Sequence, residues 1–186
     1  MIYLLRHGQT ERNRRRTLQG RSDSPLNEQG RAEARETARR LSGVRFDRVL
    51  SSPLVRAVET ARIVAKDADI AVDERLIEMD YGPYEGMSLD APAPEVLAFF
   101  ADFAHVPAPA GMEQLADVVR RTGDFLEDLR ATQGDVLVST HAIAMKGMLE
   151  YLTPESHGSF WSRYLGNCES WVVDCGDDGF GVPRRR

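Results

Sequence analysis

Ile2-Tyr3-Leu4-Leu5 runs straight into Arg6-His7-Gly8, an apolar stretch that ends abruptly in a cation, an imidazole and a glycine. The run has no polar alternation, the pattern of a strand buried on both faces. Val136-Leu137-Val138, followed by Ser139-Thr140-His141, repeats that arrangement far along the chain. Val49-Leu50 leads likewise into Ser51-Ser52-Pro53, Ile70 to Val72 is a weaker strand candidate, and a last strand covers about residues 170–174. Helical patterns alternate with these strands. Asn27 caps a helix running to about Leu41, and Ser42-Gly43 stops it. Serine at the N-cap and Pro53 in the first turn start another, with Leu54, Ala57, Val58, Ala61 and Val64 on one stripe. Leu115, Val118, Val119, Thr122, Phe125, Leu126 and Leu129 make a third, and Ala142 to Leu152 is apolar nearly all round. Strands alternating with helices, the strands apolar on both faces, predict an α/β fold with a mainly parallel central sheet.

The 186 residues suit a single domain, 1–186, with enough apolar material (42%) for a sizeable core. Two Pro/Ala stretches, residues 91–94 and 107–110, bracket an amphipathic segment carrying Val96, Leu97, Phe100 and Phe103. It reads as a short insertion at about 87–110. Phe99, Phe100 and Phe103 read as core, and Gly179 to Arg186 as a frayed, solvated end. A net charge of −5 disfavours a nucleic-acid partner, and no apolar run is long enough for a membrane span. The N-terminus has too short an apolar stretch for a secretory leader, so a cytoplasmic location is expected. Cys168 and Cys175 bracket an extended run that would hold them too far apart for a disulfide, so both are expected as reduced structural thiols.

All but two of the 24 basic residues are arginines, the exceptions being Lys66 and Lys146, so an arginine signifies only by its position. In open α/β sheets ligands bind beyond the carboxyl ends of the strands. Those ends bring Arg6, His7 and His141 to one edge, joined by Arg56 in the first turn of the helix after Ser51-Ser52. Arg56 lies nearly opposite that helix's apolar stripe, so its stem is not expected to be buried. Its guanidinium and free backbone N–H groups at the helix start would form an anion site. No HxH, HExxH or carboxylate–histidine cluster accompanies the imidazoles, so neither a metal nor another cofactor is expected. Two histidines among guanidinium groups suit a tetrahedral oxyanion, phosphate foremost.

Leu5-Arg6-His7-Gly8-Gln9-Thr10-Glu11-Arg12-Asn13 resembles the L-R-H-G-x-T-x-x-N signature of the histidine phosphatase superfamily, also called phosphoglycerate mutase-like. The resemblance continues through Gln19-Gly20, Asp23-x-Pro25-Leu26, Gly30, the block from Ser51 to Ala61 that contains Arg56 and Thr60, and the block from Leu76 to Gly86 that contains Glu78, Asp80, Tyr81 and Glu85. Val138-Ser139-Thr140-His141 completes it. It implies a three-layer α/β/α sandwich in which the insertion covers the active site. It also implies a metal-independent phosphomonoesterase acting on a small phosphate ester. His7 would be the nucleophile that becomes a phosphohistidine. Arg6, Arg56 and His141 would hold the equatorial oxygens, and Glu78 would protonate the leaving oxygen and then activate water. Asn13, Gln19, Gly20 and Ala142 would line the substrate's path. The alternatives are a phosphoglycerate mutase-type phosphotransferase and a non-catalytic phosphate-binding protein on the same fold.

Two stretches depart from the family's pattern. Ala142 stands where glycine is usual, and Gly111-Met112-Glu113 replaces a G-G-E or G-E-S/T stretch, so no role is assigned to the latter. Residues 76–119 contain no Lys or Arg but eight acids. That disfavours a doubly phosphorylated mutase intermediate and suggests neutral, cationic or apolar leaving groups. The small phosphatase branch, resembling α-ribazole and broad-specificity phosphatases, fits best. His105 and His157 read as solvated. The Arg12–Arg16 run reads equally well as a solvated loop or as a steering patch for anions.

Overall fold

β1 (Ile2–Arg6) is buried along its whole length, and its period of two sorts the side chains between two cores. The computed structural model describes residues 1–176 and 179–186. After β1 come α1 (Glu11–Arg14), α2 (Glu28–Arg40), β2 (Arg48–Ser51), α3 (Val55–Val64), β3 (Ile70–Val72), α4 (Pro94–Ala101) and α5 (Leu115–Glu127). β4 (Val136–Thr140), α6 (Ala142–Leu152), α7 (Ser159–Ser162), β5 (Ser170–Val173), β6 (Cys175–Gly176), β7 (Gly179–Phe180) and β8 (Arg184–Arg185) follow. Six strands form one sheet in the order β3-β2-β4-β1-β5-β8. β3, β2, β4 and β1 run parallel, while β5 and β8 add an antiparallel margin.

Ile2, Leu4, Val136 and Val138 pack with Phe125, Leu126 and Leu129 of the α5 region and Met145, Met148 and Leu149 of α6. Tyr3, Leu5, Val49 and Leu137 face the other way, onto Ala34 of α2 and Ala61 and Val64 of α3. The continuous apolar strands are therefore alternating in function: each successive residue feeds the opposite layer of an α/β/α sandwich. A third core gathers Met79, Tyr81, Val96, Phe99, Val118, Ile143 and Trp161, so α4 is packed beside the sheet's carboxyl edge.

Three local expectations need correction. The helix after Ser51-Ser52 begins at Val55 with Leu54 as its N-cap residue, because Ser52 is engaged elsewhere and the Val55 amide donates to Asp23 Oδ1 at 2.9 Å. On α4, Leu97 is 57% exposed and Phe99 takes the buried place, three residues after Val96 on the same face. The chain end is not frayed. β8 pairs with β5, whose open edge supplies backbone partners, and the Arg186 amide donates to the Ser170 carbonyl at 2.9 Å. The tail's Arg186 also lies over the Tyr3 ring. Other expectations agree: α2 and α6 fall where the sequence puts them, Phe100 and Phe103 pack against the third core, and both cysteines are free. His105 and His157 are exposed. In the Arg12–Arg16 run, Arg14 and Arg15 pair with Glu11, and Arg16 pairs with Asp90. No helix in the described residues is long and apolar enough to cross a membrane.

Candidate active site

Ser52, His141 and His7 are the residues immediately after β2, β4 and β1, three neighbouring strands. The parallel ladder sets their level: the His7 amide donates to the Thr140 carbonyl and the Ser52 amide to the Ser139 carbonyl, each at 2.9 Å. The His7 and His141 ring centroids lie 5.1 Å apart, within reach of one small anion.

His7 is buried, and its Nδ1 donates to the carbonyl of Gly8 at 2.7 Å, leaving Nε2 as the free ring nitrogen. Burial, then the Arg56 and Arg6 cations, hold its pKa well below the ordinary histidine value. The neutral ring with an available Nε2 lone pair is thus the ground state. The loop behind it admits no side chain at Gly8, where a Cβ would stand 2.5 Å from the Gly30 carbonyl. The Gly8 amide donates to Thr60 Oγ1 (3.0 Å), whose hydroxyl donates to the Arg56 carbonyl (2.7 Å), tying the first motif to α3. Asn167 donates to the His7 carbonyl from the far side at 3.1 Å.

His141 is fully buried, with Nε2 2.7 Å from Ser52 Oγ. Burial, with Arg56, His7 and Arg6, depresses its pKa strongly as well. Arg6 Nη1 donates to the Leu165 carbonyl. Arg56 corrects an expectation: it is only 1% exposed, stem included. It does lie away from the apolar stripe of α3, but the loop at residues 19–24 covers it from the other side. Its Nη2 donates to the Gly20 carbonyl at 2.7 Å and its Nη1 to the Ser22 carbonyl at 2.9 Å. Burial pushes it down to about 10, which leaves it a cation at neutral pH. One of the amides expected to be free at the start of α3 is not, since Asp23 takes that of Val55.

Among the described residues, five side-chain polar atoms are buried without a hydrogen-bond partner, and three of them, Arg6 Nε, Arg56 Nε and His141 Nδ1, belong to this group; the others are Arg12 Nη1 and Thr153 Oγ1. Leaving buried polar groups unpaired costs roughly 1–3 kcal/mol each. Three such atoms on side chains that feel one another's charge mark a site built for a ligand with several acceptor oxygens. Glu78 sits beside them at the start of α6, where its Oε1 accepts from the amides of Met79 (2.9 Å), Ile143 (3.1 Å) and Ala144 (3.0 Å). The amides at the start of α6 thus fix the side chain through Oε1.

Arg6, His7, Arg56, Glu78 and His141 therefore converge. The four residues expected along the substrate's path lie at the margin. Gly20, with φ +54°, lends its carbonyl to Arg56. Gln19 is buried, its Oε1 accepting from the hydroxyls of Thr10 (2.9 Å) and Ser24 (2.8 Å). Asn13 completes a capping box with Thr10, and Asn167 approaches its Oδ1 at 3.4 Å. Ala142 opens α6 beside Glu78. Among the described residues no group of three or more His, Cys, Asp or Glu side chains is arranged to hold a metal ion.

Several supporting residues escaped sequence reasoning. Serine at this position suits a helix cap, but Ser52 serves His141. Asp23 and Glu85 lie inside the family-like stretches, but nothing in the sequence reveals what they hold. Glu85 accepts from the amides of Arg21 (2.6 Å) and Ser22 (2.8 Å) and from the Ser22 hydroxyl. Asn167 had no signal at all, since nothing in its neighbourhood points 160 residues back to His7.

The sequence profile of the "Histidine phosphatase superfamily (branch 1)" matches residues 2–185. The chain belongs to the histidine phosphatase superfamily. It is 32% identical over 179 residues to phosphoserine phosphatase 1 of Hydrogenobacter thermophilus, covering 92% of this chain and 85% of the relative. It is also 33% identical over 153 residues to an Enterobacter protein named "Probable phosphoglycerate mutase", covering 77% of this chain and 70% of that one. A mycobacterial glucosyl-3-phosphoglycerate phosphatase, solved with VO3, superposes with a TM-score of 0.85 at 27% identity, covering 100% of this chain and 96% of that one. With that membership and phosphatase relatives along nearly its full length, the chain is a phosphoric monoester hydrolase acting on small phosphate monoesters.

Proposed function

We propose that this phosphatase works through a phosphohistidine on His7, with Glu78 as proton donor and acceptor. The supporting observation is the pairing of two buried imidazoles 5.1 Å apart, one of them fixed by the Gly8 carbonyl with Nε2 left free. In the first step the Nε2 lone pair forms the P–N bond while the P–O bond to the leaving group breaks. The departing oxygen takes its proton from Glu78. In the second, Glu78 takes a proton from water, the water oxygen bonds to phosphorus, and the P–N electron pair returns to Nε2.

Phosphoryl transfer asks a protein mainly for positioning and charge stabilisation, so the three unpartnered donors are the working part of the pocket. Arg6 and Arg56 present their Nε–H groups to equatorial oxygens. The Leu54 amide donates to Ser52 Oγ at 3.4 Å, so the serine hydroxyl donates to His141 Nε2 and leaves the Nδ1 proton for a third oxygen. Asn13, Gln19, Gly20 and Ala142 border the entry, and the α4 segment walls the leaving-group side.

The substrate class extends to carboxylated phosphate monoesters, beyond the neutral, cationic and apolar leaving groups suggested by the acids of residues 76–119. Those acids are largely engaged within the fold: Glu85 by loop amides, Asp90 by Arg16, Glu95 by Tyr84, and Asp80 and Glu113 by Arg21. The names of the phosphoserine and glucosyl-3-phosphoglycerate phosphatases point the same way.

The deciding experiment is a trap for the phosphoenzyme. Quenching during turnover should yield an acid-labile, alkali-stable phosphoprotein that disappears in His7→Ala, and its absence in the wild type under several substrates would remove the proposal. A mutase would instead convert 3-phosphoglycerate to its isomer only when primed by a bisphosphate.

A further inference from the structure

The Gly-Met-Glu stretch at residues 111–113, which the family resemblance left without a role, meets α5 at a buried ion pair. Arg121 donates from Nε to Glu113 Oε1 at 2.7 Å and from Nη2 to Oε2 at 3.2 Å, with side-chain exposures of only 14% and 11%. The rest of the arginine fork is aimed at one short segment. Its Nη1 donates to the carbonyls of Arg75 and Ile77, each at 2.7 Å. Glu113 holds the same segment further on: its Oε2 accepts from the Asp80 amide at 3.2 Å, and its own amide donates to the Asp80 carbonyl at 2.8 Å. Glu78 lies between these fastened points.

We propose that the Arg121–Glu113 pair is a positioning device for Glu78, fixing the reach of its carboxylate toward the leaving-group oxygen. The inference rests on the reading of Glu78 as proton donor. An exposed ion pair would be worth little, but this one is two-pronged, largely buried and spends both hydrogens of one nitrogen on carbonyls of the segment that leads into Glu78. The carboxylate itself is tethered to α6 through Ile143 and Ala144, while its backbone is tethered to α5 through Arg121. Without the second tether the segment can retreat with α6 or swing outward, and either movement changes the distance to the departing oxygen. Arg121 is not a catalytic residue in this scheme, since the bonds described run to the segment and to Glu113.

The test reads kcat/KM, which reports on formation of the phosphoenzyme, for p-nitrophenyl phosphate and for an alkyl ester such as glycerol phosphate. p-Nitrophenolate leaves with little need of a proton, whereas an alkoxide depends on one. In Arg121→Met the alkyl ester should lose at least about tenfold while p-nitrophenyl phosphate loses less than about threefold. Arg121→Lys should recover part of the difference, and the variant should add nothing further in a Glu78→Gln background, because residues acting as one unit are not additive. Glu113→Gln keeps the shape and should give the same selectivity on a smaller scale, and it carries the test if Arg121→Met does not fold. Equal losses on both esters, or a full multiplication with Glu78→Gln, would overturn the positioning role. If Glu78→Gln itself spares alkyl esters, the proton-donor reading fails and the inference falls with it. If Glu78→Gln is selective and neither Arg121→Met nor Glu113→Gln is, only the inference fails.

Discussion

The two halves of the site are held by different physics. His7, His141 and Ser52 stand one residue beyond neighbouring parallel strands, and the backbone ladder that holds the sheet also sets their separation. Arg56 and Glu78 stand outside the sheet. Arg56 is gripped by the carbonyls of Gly20 and Ser22, in a loop that is itself held by Glu85 and fastened through Asp23 to α3. Glu78 depends on α6 amides and on Arg121. A ladder-borne side chain inherits its position from the core, whereas a loop-borne one needs fasteners of its own. The strand half should therefore fail by loss of chemistry, and the loop half by loss of position.

The sharpest break comes from the strand half. His7→Ala should lower kcat by about 10⁴-fold or more, as expected for removal of a nucleophile, and abolish the trapped phosphoenzyme. Thermal unfolding should change little, or the variant should gain stability, because the imidazole is desolvated beside two cations and its backbone is set by β1 and β4. A large drop in melting temperature would mean that the ladder alone does not set this half.

Arg56→Ala should cost less in rate and more in fold. One fewer oxyanion donor lowers kcat/KM by about 10²- to 10³-fold. The carbonyls of Gly20 and Ser22 also lose their partner, so thermal unfolding should reveal a destabilisation of roughly 1–3 kcal/mol. Unchanged stability alongside the kinetic loss would show that the loop stands without its arginine.

The same division decides what can be read from sequence. A strand's apolar run and the residue after it are contiguous, so His7 and His141 announce themselves, and β1, β4 and α6 are legible nearly to the residue. Arg56 is legible from its place in the first turn after β2, whereas Glu78 emerges only through the family's register. The burial of the Arg56 stem is not legible, because helix periodicity reports only one face and the covering loop lies more than 30 positions earlier. Ser52 looked like a cap because serine suits both jobs. Asn167, Glu113 and Arg121 act through single long-range hydrogen bonds to backbone, which leave no periodicity and no local composition to detect. β8 is not legible in the sequence because pairing to a sheet edge depends on the edge being open.

Acid should probe the strand half through stability. Both histidines have depressed pKa values in the fold, so below about pH 6.5 the unfolded chain binds protons that the folded one refuses. Their contribution is fully present above that pH and is lost as pH falls toward their folded values. The loss is up to about 1.4 kcal/mol per pH unit for each. Unfolding free energies measured between pH 7 and 5 should fall accordingly, and His141→Asn should remove up to one proton's worth of slope.

The smallest effect sharpens the loop half. Glu85 accepts from two amides and a hydroxyl of the loop that grips Arg56, and it does not touch the fork itself. Glu85→Gln keeps the shape and one carbonyl acceptor but loses the charge, weakening hydrogen bonds that a carboxylate makes about twice as strong as a neutral group does. kcat/KM should fall about three- to tenfold. Because Arg56 acts on the phosphoryl oxygens and not on the leaving group, that loss should be the same for p-nitrophenyl phosphate and for an alkyl ester. The fastener of Glu78 must show the opposite, a loss that grows as the leaving group worsens. If Glu85→Gln proved selective between the two esters, the grip on Arg56 and the reach of Glu78 would be one coupled device. Arg21, which touches both Asp80 and Glu113, is the residue through which that coupling would run.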